Sequence, residues 1–349
     1  MNTSTLERYD TRGMRDLLTD FPRQVEDAVR IGSAAAVPWK APSFSDITVT
    51  GLGGSAIGGD LLRSYLSGEL GVPFSVNRHY FLPEFVGPSS LVIVSSYSGN
   101  TEETIAAHRD ATKRRARVLC ISSNGETEKM AKKFRQPVII IPKGFPPRAA
   151  LGYSFFTVLA ALIRMKLVPP RKKDIDETIR LLSRKAKAYS SLSALGNPAL
   201  SIAQQLFGKL PVIYSSADRF DVVNLRWRGQ LAENAKVLAF GHVLPEMNHN
   251  ELVGWKVLRR QMKEMAVIFL HDRKDHARVQ LRMAIMKGIV GEYAGRIIDA
   301  ASEGNSLLAR TFSLIYLGDW VSYYLAMLNG IDPTPVKVID YLKNELAKV

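Results

Sequence analysis

Between residues 47 and 141, short β-rich runs recur with helix-forming segments between them, and this alternation constrains the fold more than any other feature. The runs are residues 47–51, 73–77, 91–95, 118–122 and 138–141, with helices expected over 58–66, 101–115 and 126–134. Strands joined through helices pair in parallel, and a parallel sheet needs cover on both faces. A second alternation follows: strand 212–215, helix 220–234, strands 236–240 and 266–271, a strand near 297–299 and a long helix over 305–328. A last helix is expected after the turn at Asp332-Pro333. The pattern predicts an α/β chain of two doubly wound parallel-sheet subdomains, each an αβα sandwich. The expected division is a helical lead-in at 1–44, a first domain at 45–168, a helical connector at 169–208, and a second domain with C-terminal helices at 209–349. The lead-in combines a helix over 11–31 with the Pro-rich link Pro38-Trp39-Lys40-Ala41-Pro42.

Composition narrows the setting. A chain of 349 residues with 46% hydrophobic content can bury a large core. Its single cysteine, Cys120, excludes an internal disulfide, so a reducing, cytoplasmic location is expected. The first thirty residues carry mixed charges and no apolar core, unlike a signal peptide. The apolar run at 152–163 stops at Arg164, short of the roughly 20 residues a bilayer requires. The apolar stretch 314–328 has Asp319 in its middle. No membrane association is expected.

The chain has 47 Lys+Arg against 33 Asp+Glu, a formal charge of +14, which attracts anions but does not by itself define a site. Its basic clusters, Lys113-Arg114-Arg115-Ala116-Arg117, Lys132-Lys133 and Arg171-Lys172-Lys173, lack interleaved aromatics for base stacking. No nucleic-acid partner is expected, and the charge reads as a solvated surface.

Two strand ends carry the chemistry. After the first strand comes Gly51-Leu52-Gly53-Gly54-Ser55-Ala56-Ile57-Gly58-Gly59-Asp60, which contains the loose dinucleotide fingerprint G-x-G-x-x-A. The acidic residue that would hold a ribose is missing from the next strand end, Val76-Asn77-Arg78-His79. Arg78 could instead serve a 2′-phosphate, so a nicotinamide oxidoreductase stays open as a weak rival. The third strand ends in Ser95-Ser96-Tyr97-Ser98-Gly99-Asn100-Thr101-Glu102-Glu103-Thr104. One N-cap explains one hydroxyl, but here five Ser/Thr hydroxyls surround a single turn. Hydroxyls and free N–H groups converging on a helix start suit a phosphate dianion bound without a metal.

Proton-transfer chemistry on a phosphate-bearing ligand would need an acid/base group and a donor facing any developing oxyanion. Glu233 ends a helix in Arg226-Trp227-Arg228-Gly229-Gln230-Leu231-Ala232-Glu233-Asn234-Ala235-Lys236 and is a candidate base. Alone, such a glutamate is more often an ion-pair partner for Arg226 or Lys236. His249 sits in the polar loop Pro245-Glu246-Met247-Asn248-His249-Asn250-Glu251, suited to proton exchange near neutral pH. His242, Glu246 and His249 raise a metal reading, but Pro245 interrupts any single helix displaying all three, and no metal or cofactor is expected. Arg148 follows two prolines, Pro146-Pro147-Arg148, whose fixed φ would hold it in place.

The G-G-S-x-I-G-G-D turn, followed by a strand ending S-Y-S-G-N-T-E-E-T, resembles the sugar isomerase (SIS) domain, a flavodoxin-like fold. It is more closely similar to the compact bifunctional phosphoglucose/phosphomannose isomerases. The resemblance runs from about residue 45 to the C-terminus. It implies that Gly54, Ser55, Ser96, Ser98 and Thr101 hold the substrate phosphate. Those isomerases carry an arginine in a P-x-R loop, a glutamate in an N-E-N-like helix end and a histidine in an N-H-N-E turn, which match Arg148, Glu233 and His249. The implied roles are enediolate stabiliser, isomerisation base and ring-opening acid/base.

Lys343, in an I-x-x-L-K pattern, would assist ring opening, and Thr334 would leave room for both C2 epimers. Ala232 departs from the family pattern, which puts an asparagine there. The resemblance implies interconversion of glucose 6-phosphate, and of mannose 6-phosphate as the expected second substrate, with fructose 6-phosphate. It also implies a homodimer with shared active sites. A non-catalytic phosphosugar-binding SIS protein is the alternative, and Arg148, Glu233 and His249 together argue against it.

Overall fold

A computed structural model of the chain describes residues 1, 3–39, 43–217, 219–346 and 348. Residues 40–42 of the Pro-rich link lie outside the described residues. Helices α1 (Thr3–Tyr9), α2 (Met14–Thr19) and α3 (Phe21–Ala34) open the chain. Then come β1 (Ile47–Thr50), α4 (Gly53–Leu66), β2 (Phe74–Asn77), β3 (Leu91–Ser96), α5 (Glu102–Lys113), β4 (Arg117–Ser122), α6 (Gly125–Lys133), β5 (Val138–Ile140) and α7 (Leu151–Arg164). After α8 (Lys172–Tyr189) and α9 (Pro198–Leu206) follow β6 (Leu210–Ser216), α10 (Asp221–Ala235), β7 (Phe240–Leu244), α11 (Arg259–Met262) and β8 (Met265–His271). The chain ends with α12 (Ala277–Gly291), β9 (Arg296–Ala301), α13 (Leu307–Leu328) and α14 (Lys337–Leu346). It divides into two units: a first of residues 20–180 and 306–308, and a second of residues 1–19, 181–305 and 309–349.

The doubly wound α/β reading is borne out. The first sheet has the order β2-β1-β3-β4-β5 and the second β7-β6-β8-β9, and the strand pairs of both are parallel. In each sheet the order reverses beside its first strand, between β1 and β3 and between β6 and β8. Such a switch point opens a crevice at the carboxyl ends of the strands, where doubly wound folds bind ligands. The central strand β3 is buried along its whole length, as a strand covered on both faces must be.

In the first unit, α3 packs along α7. Gln24 accepts from the Gly152 N–H at 2.8 Å and donates to the Ala149 carbonyl at 2.9 Å, so the lead-in helix supports the residues on either side of 150. In the second unit, α1 and α2 lie against α13. Tyr316 donates to Leu18 O at 2.7 Å, and Tyr323 donates to Asp10 at 3.1 Å. Packing thus distributes residues 1–44 between the two units.

The second unit is organised around α13, whose Phe312, Tyr316, Trp320, Tyr323 and Tyr324 are all fully buried. Helix α10 seats on it at three points. Trp227 donates from its indole to Leu314 O at 2.8 Å, and a Cβ at Gly318 would lie 2.3 Å from that indole nitrogen, so only glycine fits. Asn234 donates to Ser322 at 2.9 Å. Between these contacts, Arg226 makes a two-pronged ion pair with Asp319, at 3.2 and 3.1 Å, with both side chains about 5% exposed. Burial pushes the Asp319 carboxyl above its ordinary value, and the guanidinium opposes that shift. No helix among the described residues is long and apolar enough to cross a membrane.

One strand begins later than expected. The run 236–240 does not start as a strand, because Lys236 takes a left-handed conformation (φ 57°) and caps α10 through an N–H bond to Leu231 O. Leu238 is then 71% exposed, and the strand begins at Phe240. Cys120 is fully buried, and burial pushes its thiol up to about 12, which makes it a packing residue.

Replacing Asp319 with alanine leaves Arg226 as an uncompensated buried charge. Urea unfolding of D319A is expected to show a loss of about 3–5 kcal/mol; a loss below about 1 kcal/mol would show that the pair does not anchor α10.

Candidate functional site

The first unit's crevice is built by three turns. The turn after β1 enters α4 at Gly53 with no side-chain cap, leaving first-turn N–H groups at the mouth of the crevice. Ser55 is buried there and accepts from the Tyr97 N–H at 3.2 Å, which ties the β1 and β3 turns together. The turn after β3 enters α5, with Thr101 at the N-cap position and making no side-chain cap bond. Ser96 is 2% exposed, and its hydroxyl has no partner among the described residues; the Thr104 hydroxyl is in the same condition. A buried hydroxyl without a partner carries a desolvation cost, which a bound ligand relieves. Ser98 accepts from the Asn100 N–H at 3.3 Å. Asn100 is committed elsewhere, accepting from the Glu126 N–H at 3.0 Å and so locking the β3 turn to the start of α6.

Arg148 lies in a 3₁₀ turn, Pro147–Ala149, and is 3% exposed. This turn presses on the glycine turn: a Cβ at Gly54 would meet the Pro147 carbonyl oxygen at 2.4 Å. The structure therefore brings Gly54, Ser55, Ser96 and the Arg148 turn into one assembly, with Ser98 and Thr101 on its β3–α5 side. Sequence reasoning passed over Tyr97. Its hydroxyl donates to Pro142 O at 3.0 Å and accepts from the Phe145 N–H at 2.9 Å, holding the segment that leads into Arg148. Burial raises its phenol above the ordinary value, so it remains a donor. An aromatic set among the hydroxyls of this turn was the available signal. Gln24 was equally invisible, because its role depends on a partner more than a hundred residues away.

Arg78, the residue a 2′-phosphate would require, is ion-paired with Asp60 of α4. The nicotinamide rival thus loses its anchor.

In the second unit, Glu233 lies in the last turn of α10 and lines a cavity of about 570 Å³. The cavity is walled by Val237, Leu238, Ile331, Pro335 and the start of α14. Arg226 binds Asp319, and the Lys236 ammonium bonds the carbonyl oxygens of Glu233 and Pro333. Thr334 is buried in the segment between α13 and α14, its N–H donating to Asp332 at 2.8 Å. Lys343 is exposed on α14, beyond the residues of that helix that line the cavity.

His249 ends a 3₁₀ turn, Glu246–His249, and its side chain is exposed. His242 accepts at Nδ1 from the Val243 N–H at 2.8 Å, and Glu246 accepts from Asn250 at 2.9 Å. Among the described residues, no three His, Cys, Asp or Glu side chains are grouped to hold a metal ion. The structure gathers the phosphate-side candidates on the first unit and carries Glu233, His249, Thr334 and Lys343 on the second.

The description "Bacterial phospho-glucose isomerase C-terminal SIS domain" belongs to a family model that matches residues 195–346. A bifunctional phosphoglucose/phosphomannose isomerase from Caldicellulosiruptor bescii is 43% identical over 337 residues, 96% of this chain and 99% of that protein. A protein of the same description from Aquifex aeolicus is 38% identical, covering 87% and 91%. Among solved structures, a glucose-6-phosphate isomerase like protein from Thermus thermophilus superposes with a TM-score of 0.65 at 20% identity, covering 95% of this chain and 96% of that one; it shows the fold alone. Near-complete coverage at such identity leaves no room for a different architecture: the chain belongs to the family of bifunctional phosphoglucose/phosphomannose isomerases.

Proposed function

We propose that this chain is an aldose–ketose isomerase that interconverts glucose 6-phosphate and mannose 6-phosphate with fructose 6-phosphate. The observation that carries the reading is the buried, unpartnered Ser96 hydroxyl at the first sheet's switch point, in a crevice whose glycine turn packs on the Arg148 turn. Ser55, Ser96, Ser98, Thr101 and the N–H groups around Gly54 hold the phosphate dianion without a metal.

His249 and Lys343 act at the ring oxygen to open the pyranose. Glu233 removes the proton from C2 of the open-chain aldose, leaving a cis-enediolate. The protonated carboxyl returns a proton to C1 while the O2 proton passes to O1, giving the ketose with no net change in composition. Arg148 stabilises the enediolate oxygens. Either C2 epimer loses its C2 proton to the same enediolate, and the small Thr334 leaves room for both. The exposed His249 serves a neighbouring subunit's site in a homodimer, and one buried cysteine fits work in the cytoplasm.

Three outcomes follow. Glu233→Gln should lower turnover by roughly 10²–10⁴-fold while hexose 6-phosphate affinity, measured by calorimetry, stays within about threefold; unchanged turnover removes Glu233 as the base. Ser96→Ala should weaken binding of substrate and of inorganic phosphate alike, by roughly ten- to a hundredfold; equal affinity would place the phosphate elsewhere. Mixing and re-forming dimers of E233Q and H249A should restore activity, because one of the two shared sites regains both groups. No restoration would mean that Glu233 and His249 act within one chain.

A further inference from the structure

The proposed chemistry places a ring-opening group on an exposed loop, where side chains ordinarily move freely. The loop around His249 is instead fastened on both sides of it. Before it, Met247 is fully buried in the second sheet's core with Val212, Val267, Phe269 and Met286. Asn248 accepts from Arg282 at 3.3 Å and donates to the Met286 sulfur at 2.9 Å. After it, Asn250 accepts from the Glu251 N–H at 2.5 Å.

The deepest tie comes from β6. Tyr214, 0% exposed, donates its phenol hydrogen to Glu251 Oε1 and accepts from the Trp255 indole N–H at 3.0 Å. Burial and the neighbouring carboxylate both raise the phenol above its ordinary value, so it stays a donor across the working pH range. A buried strand residue is thus bonded to the two residues that bracket the 251–254 turn, two positions beyond His249.

We propose that Tyr214 is a positioning residue for His249: clamped between Glu251 and Trp255, its hydroxyl fixes the 246–255 loop so that the imidazole is held at one place and angle. The inference rests on the ring-opening role given to His249 above. Misplacing a proton-transfer group by about 1 Å can cost up to 10²-fold in rate, so a rigid backing is worth more here than on an ordinary loop. The carboxylate of Glu251 serves as an acceptor, and its charge is secondary.

A double-mutant cycle tests this with full-length protein and glucose 6-phosphate. Tyr214→Phe is expected to lower kcat about tenfold or more, with KM within about twofold. In the His249→Ala background the same change should have almost no further effect. Glu251→Gln, which keeps an acceptor oxygen, should retain most of kcat, whereas Glu251→Ala should match Tyr214→Phe. The Glu251 pair decides the matter if Tyr214→Phe does not fold. Equal fold-losses from Tyr214→Phe in both backgrounds, or an effect confined to KM, overturn the positioning role and leave His249 in place. Full activity in His249→Ala overturns the role of His249 and the positioning inference together.

Discussion

Helix α4 begins so close beneath the 147–149 turn that position 54 has room for a hydrogen and none for a methyl. That crossing is the constraint on which the first unit's site depends. It packs the backbone of the Arg148 turn against the start of α4, which Ser55 in turn ties to the β3 turn. Parallel pairing supplies the crevice, since the loops after β1 and β3 leave on opposite faces of the sheet. The specific chemistry comes from what is pressed into it. Tyr97 ties the β3 turn to the segment before Arg148, and Gln24 secures the residues just after it. The proposed anion site is therefore an assembly of mutually bonded turns, with a buried Ser96 hydroxyl that has no partner among the described residues.

The second unit solves a different problem, holding a carboxylate at the end of a helix beside an open cavity. It does so by anchoring α10 on α13 through the Trp227 indole, the Arg226 guanidinium and, beside Glu233 itself, the Asn234 amide. Arg226 makes its contact as a buried pair with Asp319 of α13. The buried pair thus serves organisation more than net stability, since such pairs gain little over well-packed apolar residues.

Much of this was legible in the sequence, and the gaps have physical causes. Strands β3 and β4 announced themselves because buried parallel strands are largely continuous apolar runs, here residues 91–94 and 118–121. The run at 236–240 misled because its Val237 and Leu238 line a cavity rather than a sheet, and the left-handed Lys236 delays the strand to Phe240. Helix α12 went unread because it buries Met283, Met286 and Val290 on one side yet exposes Leu281, Ile285 and Ile289 on another, so no single apolar stripe appears. The hydroxyl turn at 95–104 was visible because its chemistry is local. The dependence of Arg148 on Gly54, and of the His249 loop on Tyr214, joins residues distant in sequence and became visible only in three dimensions.

The central claim is proton transfer at C2 through one enediolate that serves two epimers. It is tested most directly by incubating the wild-type protein with glucose 6-phosphate, and separately with mannose 6-phosphate, in deuterated water. The account predicts fructose 6-phosphate from both, with solvent deuterium entering C2 of the recovered aldose and C1 of the ketose, read by nuclear magnetic resonance. Fructose 6-phosphate formed from only one of the two sugars would contradict the shared enediolate, and no product from either would contradict the isomerase account altogether.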